Sequence, residues 1–352
     1  MLLGTLLWHP WTARGLTEKD TVALTDFINH TGDPVFDDAL KQALSVDLEQ
    51  SPFLNILSDR KVSETLRLMG RPANERITMD VGRELCLRTG SKALLGGAIS
   101  SLGSHYLIDL NAVACKTGDT LAKEQAEATS KEEVLKALSR ASSNLRAKLG
   151  ESLPSVQKFD VLIEVTTSSL EALKSYSMGF RIWQEKGESA GIPFLKQAIE
   201  LDPDFAMAYE SLAVMYGNLG QGSLALEYAT KAYQLRDRVS EREELRISGN
   251  YFIETGQLDK ATETYEIWIA EYPRDWIPHN RLSGVSDTGQ HEKALPEAQE
   301  VVRLAPDLVA AYASLGFDYL ALNRLDGAKA ALSQFAIVLL IFPTRWPSKT
   351  AL

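Results

Sequence analysis

The sequence predicts a mixed-sheet α/β domain followed by an all-α solenoid, an α-α superhelix of stacked helical hairpins. Three observations predict it. Over the first 150 residues, short segments of alternating apolar residues are interleaved with segments whose apolar residues recur every three or four positions. From Ala172 onward, small residues, tyrosines and prolines recur about every 34 residues, the spacing of a two-helix repeat. The chain has 352 residues, 45 % hydrophobic and 24 % charged, enough for two or three ordinary globular domains.

Residues 1–18 read as an apolar remnant or linker. Met1-Leu2-Leu3-Gly4-Thr5-Leu6-Leu7-Trp8 falls far short of the ~20 apolar residues that cross a bilayer, and nothing marks a signal peptide. It is either a frayed end or the last turns of a span that begins upstream, and only the second gives a membrane tether. The α/β domain is expected over 19–150. A strand is expected over 21–27, after which Asp33-Pro34 supplies an N-cap and a first-turn proline. Phe36, Leu40, Leu44 and Leu48 form one helical stripe. A second strand over 53–57 leads to helices over 62–69 and 79–88, stopped by Gly70 and Gly90. Strands over 92–102 and 105–115 flank the hairpin signal Gly103-Ser104, and a third strand follows over 120–126. Ser130 and Glu133 have the spacing of a capping box. The helix they open carries Val134, Leu138, Ala141, Leu145 and Leu149.

A linker is expected over 151–171. Beyond it, Tyr209, Leu212, Ala213, Tyr216, Gly220, Ala225, Tyr228, Ala229 and Ala232 define one repeat unit. Small residues let its two helices approach, while large ones fill the gaps between hairpins. Met178-Gly179, Ala198 and Pro203 mark an earlier unit, and Gly249, Phe252, Gly256, Ala261, Tyr265 and Pro273 a third. Leu282, Gly289, Ala294 and Pro306 mark a fourth, one residue short in its first helix. Tyr312, Leu315, Gly316, Tyr319, Ala328 and Leu332 mark a fifth. The pattern resembles the tetratricopeptide (TPR) repeat over about 172–336, with an irregular tail, 337–352, around the unpatterned apolar run at 335–343.

The strand order, with Asp26-Phe27, Thr31-Gly32-Asp33 and Arg88-Thr89-Gly90, resembles the TolB-amino-terminal-like (CsgG-like) domain. Leu16-Thr17-Glu18-Lys19-Asp20-Thr21, Gln42-Ala43-Leu44-Ser45 and Gln50-Ser51-Pro52-Phe53-Leu54 are similar to the region that follows the catalytic domain and membrane span in certain bacterial serine/threonine protein kinases. The resemblance implies a kinase-associated protein and covers about 16–335. It does not extend to catalysis. HRD, DFG and a strand-borne GxGxxG are missing, and Asp26-Phe27 is followed by Ile28.

No phosphate loop or nucleophile elbow occurs, and Gly90-Ser91-Lys92 reads as a helix end entering a strand. The five histidines, His9, His30, His105, His279 and His291, are scattered without metal-ligand spacing. Asp33, Asp37 and Asp38 cluster at a helix start, where capping and the helix dipole account for them, a divalent-ion site being the alternative. Asn29-His30-Thr31 fits a glycosylation sequon, a three-residue pattern of little weight. Cys86 and Cys115 are either two buried thiols or one disulfide, the latter suited to an oxidising compartment. The expectation is no enzyme, no metal and no cofactor. With 37 basic against 47 acidic residues the net charge is −10, and no nucleic acid is expected.

Stacked hairpins offer a concave groove lined by their first helices. The repeat phase places Glu210, Val214, Asn218, Arg246, Asn250, Ile253, Glu254, His279 and Phe317 on it. A clamp for a C-terminal carboxylate is not expected, because Tyr176 and Phe180 occupy the early positions, and with Trp183 they read as packing. The function implied is a non-enzymatic scaffold that binds a peptide or helix of a protein partner in signalling. The alternative is a sensor or regulatory fragment of a membrane-bound kinase, on either side of a bacterial membrane.

Overall fold

The computed structural model describes residues 16–17, 20–159, 166–286 and 289–341. Most of the 1–18 remnant and the tail past 341 lie outside the described residues. The first part runs β1 (Thr21–Leu24), β2 (Ile28–Asn29), α1 (Phe36–Glu49), β3 (Asn55–Ile56), α2 (Asp59–Leu68), α3 (Met79–Thr89), β4 (Ala93–Leu102), β5 (His105–Ala114), β6 (Thr120–Ala128) and α4 (Val134–Leu149). This is the expected order with one short strand, β2, added.

The strands form one mixed sheet in the order β3-β1-β4-β5-β6, with β2 also paired to β4. β1, β2 and β3 join by parallel pairing, whereas β4, β5 and β6 form an antiparallel meander. Gly103-Ser104 turns the hairpin, with Leu102 opposite His105. Parallel neighbours need crossovers, and alternation along β1 divides the helices between two faces. Val22 and Leu24 pack with α1 and α4, while Ala23 packs with α2 and α3. Gly97 is required by a close approach: a Cβ there would stand 2.3 Å from the buried Phe27 ring.

Two N-terminal signals resolve differently. Asp33 does not cap α1; its carboxylate accepts from the Val35 N–H at 3.0 Å and closes a turn before the helix. The Ser130/Glu133 box does not form, because α4 begins at Val134, three residues later than the box requires, and Glu133 itself is the cap residue. A true capping box occurs at Ser240 and Glu243 instead. Cys86 and Cys115, left open above, are joined as a disulfide with Cα atoms 5.9 Å apart. The bridge fastens α3 to the end of β5.

Five helix pairs follow: α6 (Leu170–Lys186) with α7 (Glu188–Leu201), α8 (Ala206–Asn218) with α9 (Gly222–Gln234), α10 (Glu241–Glu254) with α11 (Leu258–Glu271), α12 (Trp276–Ser286) with α13 (His291–Leu304), and α14 (Val309–Ala321) with α15 (Leu325–Ile341). These names require α5 (Leu153–Lys158) before them. Each pair packs within itself and against the next. Pro203, Pro273 and Pro306 each stand two residues past a second helix, where proline cannot continue it. Gly249 sits where the α10 backbone meets the Tyr265 ring, 2.4 Å from an added Cβ. The fold is therefore an α/β mixed-sheet domain joined to an all-α TPR-like solenoid. α15 continues as helix through Ile341, past the expected limit at 336.

The segment 151–171 is more than a linker. It contains α5, capped by Ser152, and it inserts Phe159 among Ala261, Tyr265 and Trp268 of the third hairpin. Arg146, 1 % exposed, donates to the Phe159 carbonyl at 3.1 Å and faces Glu151 at 3.4 Å. One buried cluster runs from Val22 through α1 and α4 to Tyr176, Met207, Leu212 and Ile247. The sheet domain and the first hairpins thus share a single core.

Candidate binding face of the solenoid

The first helices of successive hairpins, α6, α8, α10, α12 and α14, carry the candidate residues, and the structure sorts them into two groups. Glu210 on α8 meets Arg246 and Asn250 on α10. The Arg246 guanidinium contacts the two Glu210 oxygens at 2.9 and 3.0 Å, and the Asn250 amide donates to the same carboxylate. The Tyr265 hydroxyl donates to the Asn250 side-chain oxygen at 3.2 Å. Glu210 is 1 % exposed. Burial alone would lower the Arg246 pKa, yet Glu210 outweighs it and holds the guanidinium above its ordinary range. Burial also pushes the neighbouring Tyr176 hydroxyl up to about 12. The polar capacity of these three residues is thus spent on each other and on Tyr265. They bind hairpin two to hairpin three.

Other parts of the chain are anchored to the hairpins nearby. Arg181 on α6 contacts Asp38 of α1 at 3.2 Å, and Lys174 donates to the Pro34 carbonyl at 2.7 Å. Arg242 on α10 bridges Asp275 at 2.7 Å and Glu49 at 3.6 Å. Arg274, just before α12, donates to the carbonyls of Pro52 and Phe53, the latter at 3.0 Å. Arg60 on α2 reaches Asp307, just before α14, at 2.9 Å. Every hairpin from the third onward therefore holds a point between Glu49 and Arg60. Thr166, from the connecting segment, donates to the Glu243 carboxylate. The acidic trio at α1 is also engaged: Asp33 by Lys131, Asp37 by Asn29, and Asp38 by Arg181.

The remaining candidates lie outside the buried trio. Asn218 is exposed, with its amide 3.2 Å from Glu188, while Val214, Ile253 and Glu254 are half-buried. Burial raises the Glu254 pKa, and Arg281 on α12 opposes that rise. Phe317 on α14 is 54 % exposed, and the His291 ring meets it edge-on at 5.5 Å. His279 is buried and bonded to Glu297 at 2.6 Å within the fourth hairpin, so it sits in the packing and not on the open face. Tyr176, Phe180 and Trp183 pack as a continuous aromatic row that also reaches Phe205.

Sequence reasoning missed the arginines Arg242 and Arg274, because nothing local points to Glu49, Pro52 and Phe53, which lie about 200 positions away in the chain. Among the described residues, no helix is long and apolar enough to cross a membrane.

No protein-family model matches this chain, and no curated protein matches it. Solved structures of low similarity do. A thermophilic TPR protein of Thermus thermophilus, TTC0263, matches at 20 % identity and a TM-score of 0.40, covering 49 % of this chain and 92 % of that one. The type IV pilus biogenesis factor PilW matches at 15 % identity and a TM-score of 0.39, over 48 % of this chain and 78 % of that one. The C-terminal domain of LpoB from Salmonella enterica matches at 13 % identity and a TM-score of 0.31, over 32 % of this chain and 85 % of that one. At these levels the helix pairs themselves, not the similarities, carry the fold assignment.

Proposed function

We propose that this chain is a protein-interaction scaffold which receives a partner peptide or helix along Val214, Asn218, Ile253, Glu254 and Phe317. The observation that carries this reading is the division of the first-helix face. Its Glu210–Arg246–Asn250 portion is internally satisfied, while the adjoining strip stays open, part apolar and part polar. Such a strip suits an amphipathic helix or an extended segment, whose apolar anchors enter between hairpins. The buried trio then stiffens the strip from below and does not touch the ligand. We also assign the division into domains at 19–150 and 172–336 on the change from sheet to helix pairs, with the understanding that the two share a core.

Photo-crosslinking tests the reading. A photoreactive residue at Ile253 or Phe317 should capture a discrete partner, and one at the buried Met207 should not. Ile253→Asp should abolish capture without changing the helical circular dichroism. Equal capture from Met207 and Ile253 would remove the proposed strip.

A second reading, a regulatory fragment of a membrane-bound kinase, draws on the shared core, which would carry a signal from the sheet domain into the hairpins. An in-frame kinase and membrane span in the upstream DNA would support it, and an upstream region without them would dismiss it.

A further inference from the structure

The fifth hairpin leaves exposed a position that the second, third and fourth hairpins bury. Ala225, Ala261, Ala294 and Ala328 stand at matching places on α9, α11, α13 and α15, and all four are buried. One turn further along stand Ala229, Tyr265, Ala298 and Leu332. The first three are 3, 0 and 2 % exposed, whereas Leu332 is 42 % exposed. The stacking order explains the difference. α9, α11 and α13 each pack against the first helix of the following hairpin, and among the described residues no hairpin follows α15. Leu325, Lys329, Leu332 and Ala336 recur at spacings of four and three, so they share one side of α15, and Leu325 is exposed as well. The exposed Leu320 of α14 lies about 200° round its helix from Asp318, which bonds His291 of the fourth hairpin, so Leu320 also faces the end of the stack. Asp326 and Lys329 are the only charged residues over 325–341. This is the reverse of the polar outer face that closes a repeat array in water.

We propose that this end face is the interface of a homodimer, in which α15 of one copy packs antiparallel on α15 of a second copy about a two-fold axis near Leu332. On the inner hairpins the corresponding face is covered by another helix, and a second copy supplies one. A two-fold interface sets the same patch against itself, so it must be apolar and poor in charge to match, as this side of α15 is. Leu332 lies at the middle of the helix, and Ala336, one turn on, leaves room for the opposing leucine. Antiparallel packing about Leu332 keeps the two copies of Lys329 six positions, about 9 Å, apart along the axis. The two helices of the hairpin, 13 and 17 residues long, present a face of roughly 20 by 20–25 Å. Two such faces bury about 800–1,000 Å², below the ~1,200 Å² at which stable specific interfaces begin. The dimer is therefore weak and reversible, with a dissociation constant on the order of 10 µM.

The experiment is sedimentation equilibrium of the full chain from roughly 1 to 100 µM. The mass should rise from one chain to two, with no larger species. Leu332→Glu sets two like charges at the axis and should weaken association at least about tenfold, and Leu325→Glu severalfold. Both side chains are already exposed, so the helical circular dichroism should not change. Leu226→Glu, at a similarly exposed leucine on α9, should associate as the parent does. Leu332→Cys should give a covalent dimer on oxidation, since Cys86 and Cys115 are joined to each other. Ile253→Asp should leave the dimer unaltered, which separates this face from the strip proposed above. A chain that stays monomeric at the highest concentration would overturn the proposal and mean that other residues of the chain, or a different partner, cover the face. A dimer that Leu332→Glu leaves intact, or one that Leu226→Glu weakens equally, would overturn it too.

Discussion

Arg274 donates to the Phe53 carbonyl at 3.0 Å and to the adjacent Pro52 carbonyl, linking the fourth hairpin to a loop 221 positions earlier. A guanidinium on main-chain carbonyls is how a TPR-like face would hold an extended peptide, and here the peptide belongs to the same chain.

Separating the two halves should expose the shared core. A fragment spanning 172–341 removes the partners of Tyr176, Met207 and Ile247 in β1, α1 and α4. It should melt with less cooperativity than the whole chain and bind a hydrophobic dye, as measured by circular dichroism and fluorescence. A fragment that melts like the intact chain would show that the hairpins are independent, as simple repeat arrays are.

Breaking the trio should be costly. Arg246→Ala leaves Glu210 buried without its counter-charge, and the loss of one partner of a buried pair costs about 3–5 kcal/mol. Urea unfolding should show a drop of that order with the slope retained. A change below about 1 kcal/mol would mean that water compensates the carboxylate.

Overpacking should reveal the tight helix contacts. Ala225 is fully buried, and Ala225→Trp should destabilise by roughly 1–3 kcal/mol or more. Gly249→Ala gains about 1 kcal/mol in helix propensity but drives a methyl into the Tyr265 ring, so a net loss is expected. Thermal melting of both variants measures the balance. A stabilised Gly249→Ala would mean that Tyr265 moves aside at little cost.

These contacts also show what could be read in the sequence. Period-two alternation revealed the three-stranded meander, and the phase of glycine and proline revealed the helix pairs, because both depend on neighbours close in the chain. The box expected at Ser130 failed since side-chain identity does not determine the residue at which a helix begins. Glu210 lies on α8 and Arg246 and Asn250 on α10, but their mutual pairing depends on the distance between hairpins. The contacts of Glu49, Pro52, Phe53 and Arg60 with Arg242, Arg274 and Asp307 depend on how the two halves meet. No local pattern encodes that.

The Cys86–Cys115 bridge closes a loop within the sheet domain. It should stabilise by about 3–4 kcal/mol in the chain-entropy description. Intact-mass measurement without reductant should show two hydrogens fewer than with it, and reduction should lower the melting temperature of the sheet domain. Equal masses would show free thiols in the isolated protein.

Hydroxyl-radical footprinting of the intact chain tests the buried-and-open division of the first-helix face most directly. Met207, intrinsically reactive but 5 % exposed, should resist oxidation, while Phe317, 54 % exposed, should be modified. Rapid oxidation of Met207 under conditions that preserve the helical signal would contradict the account.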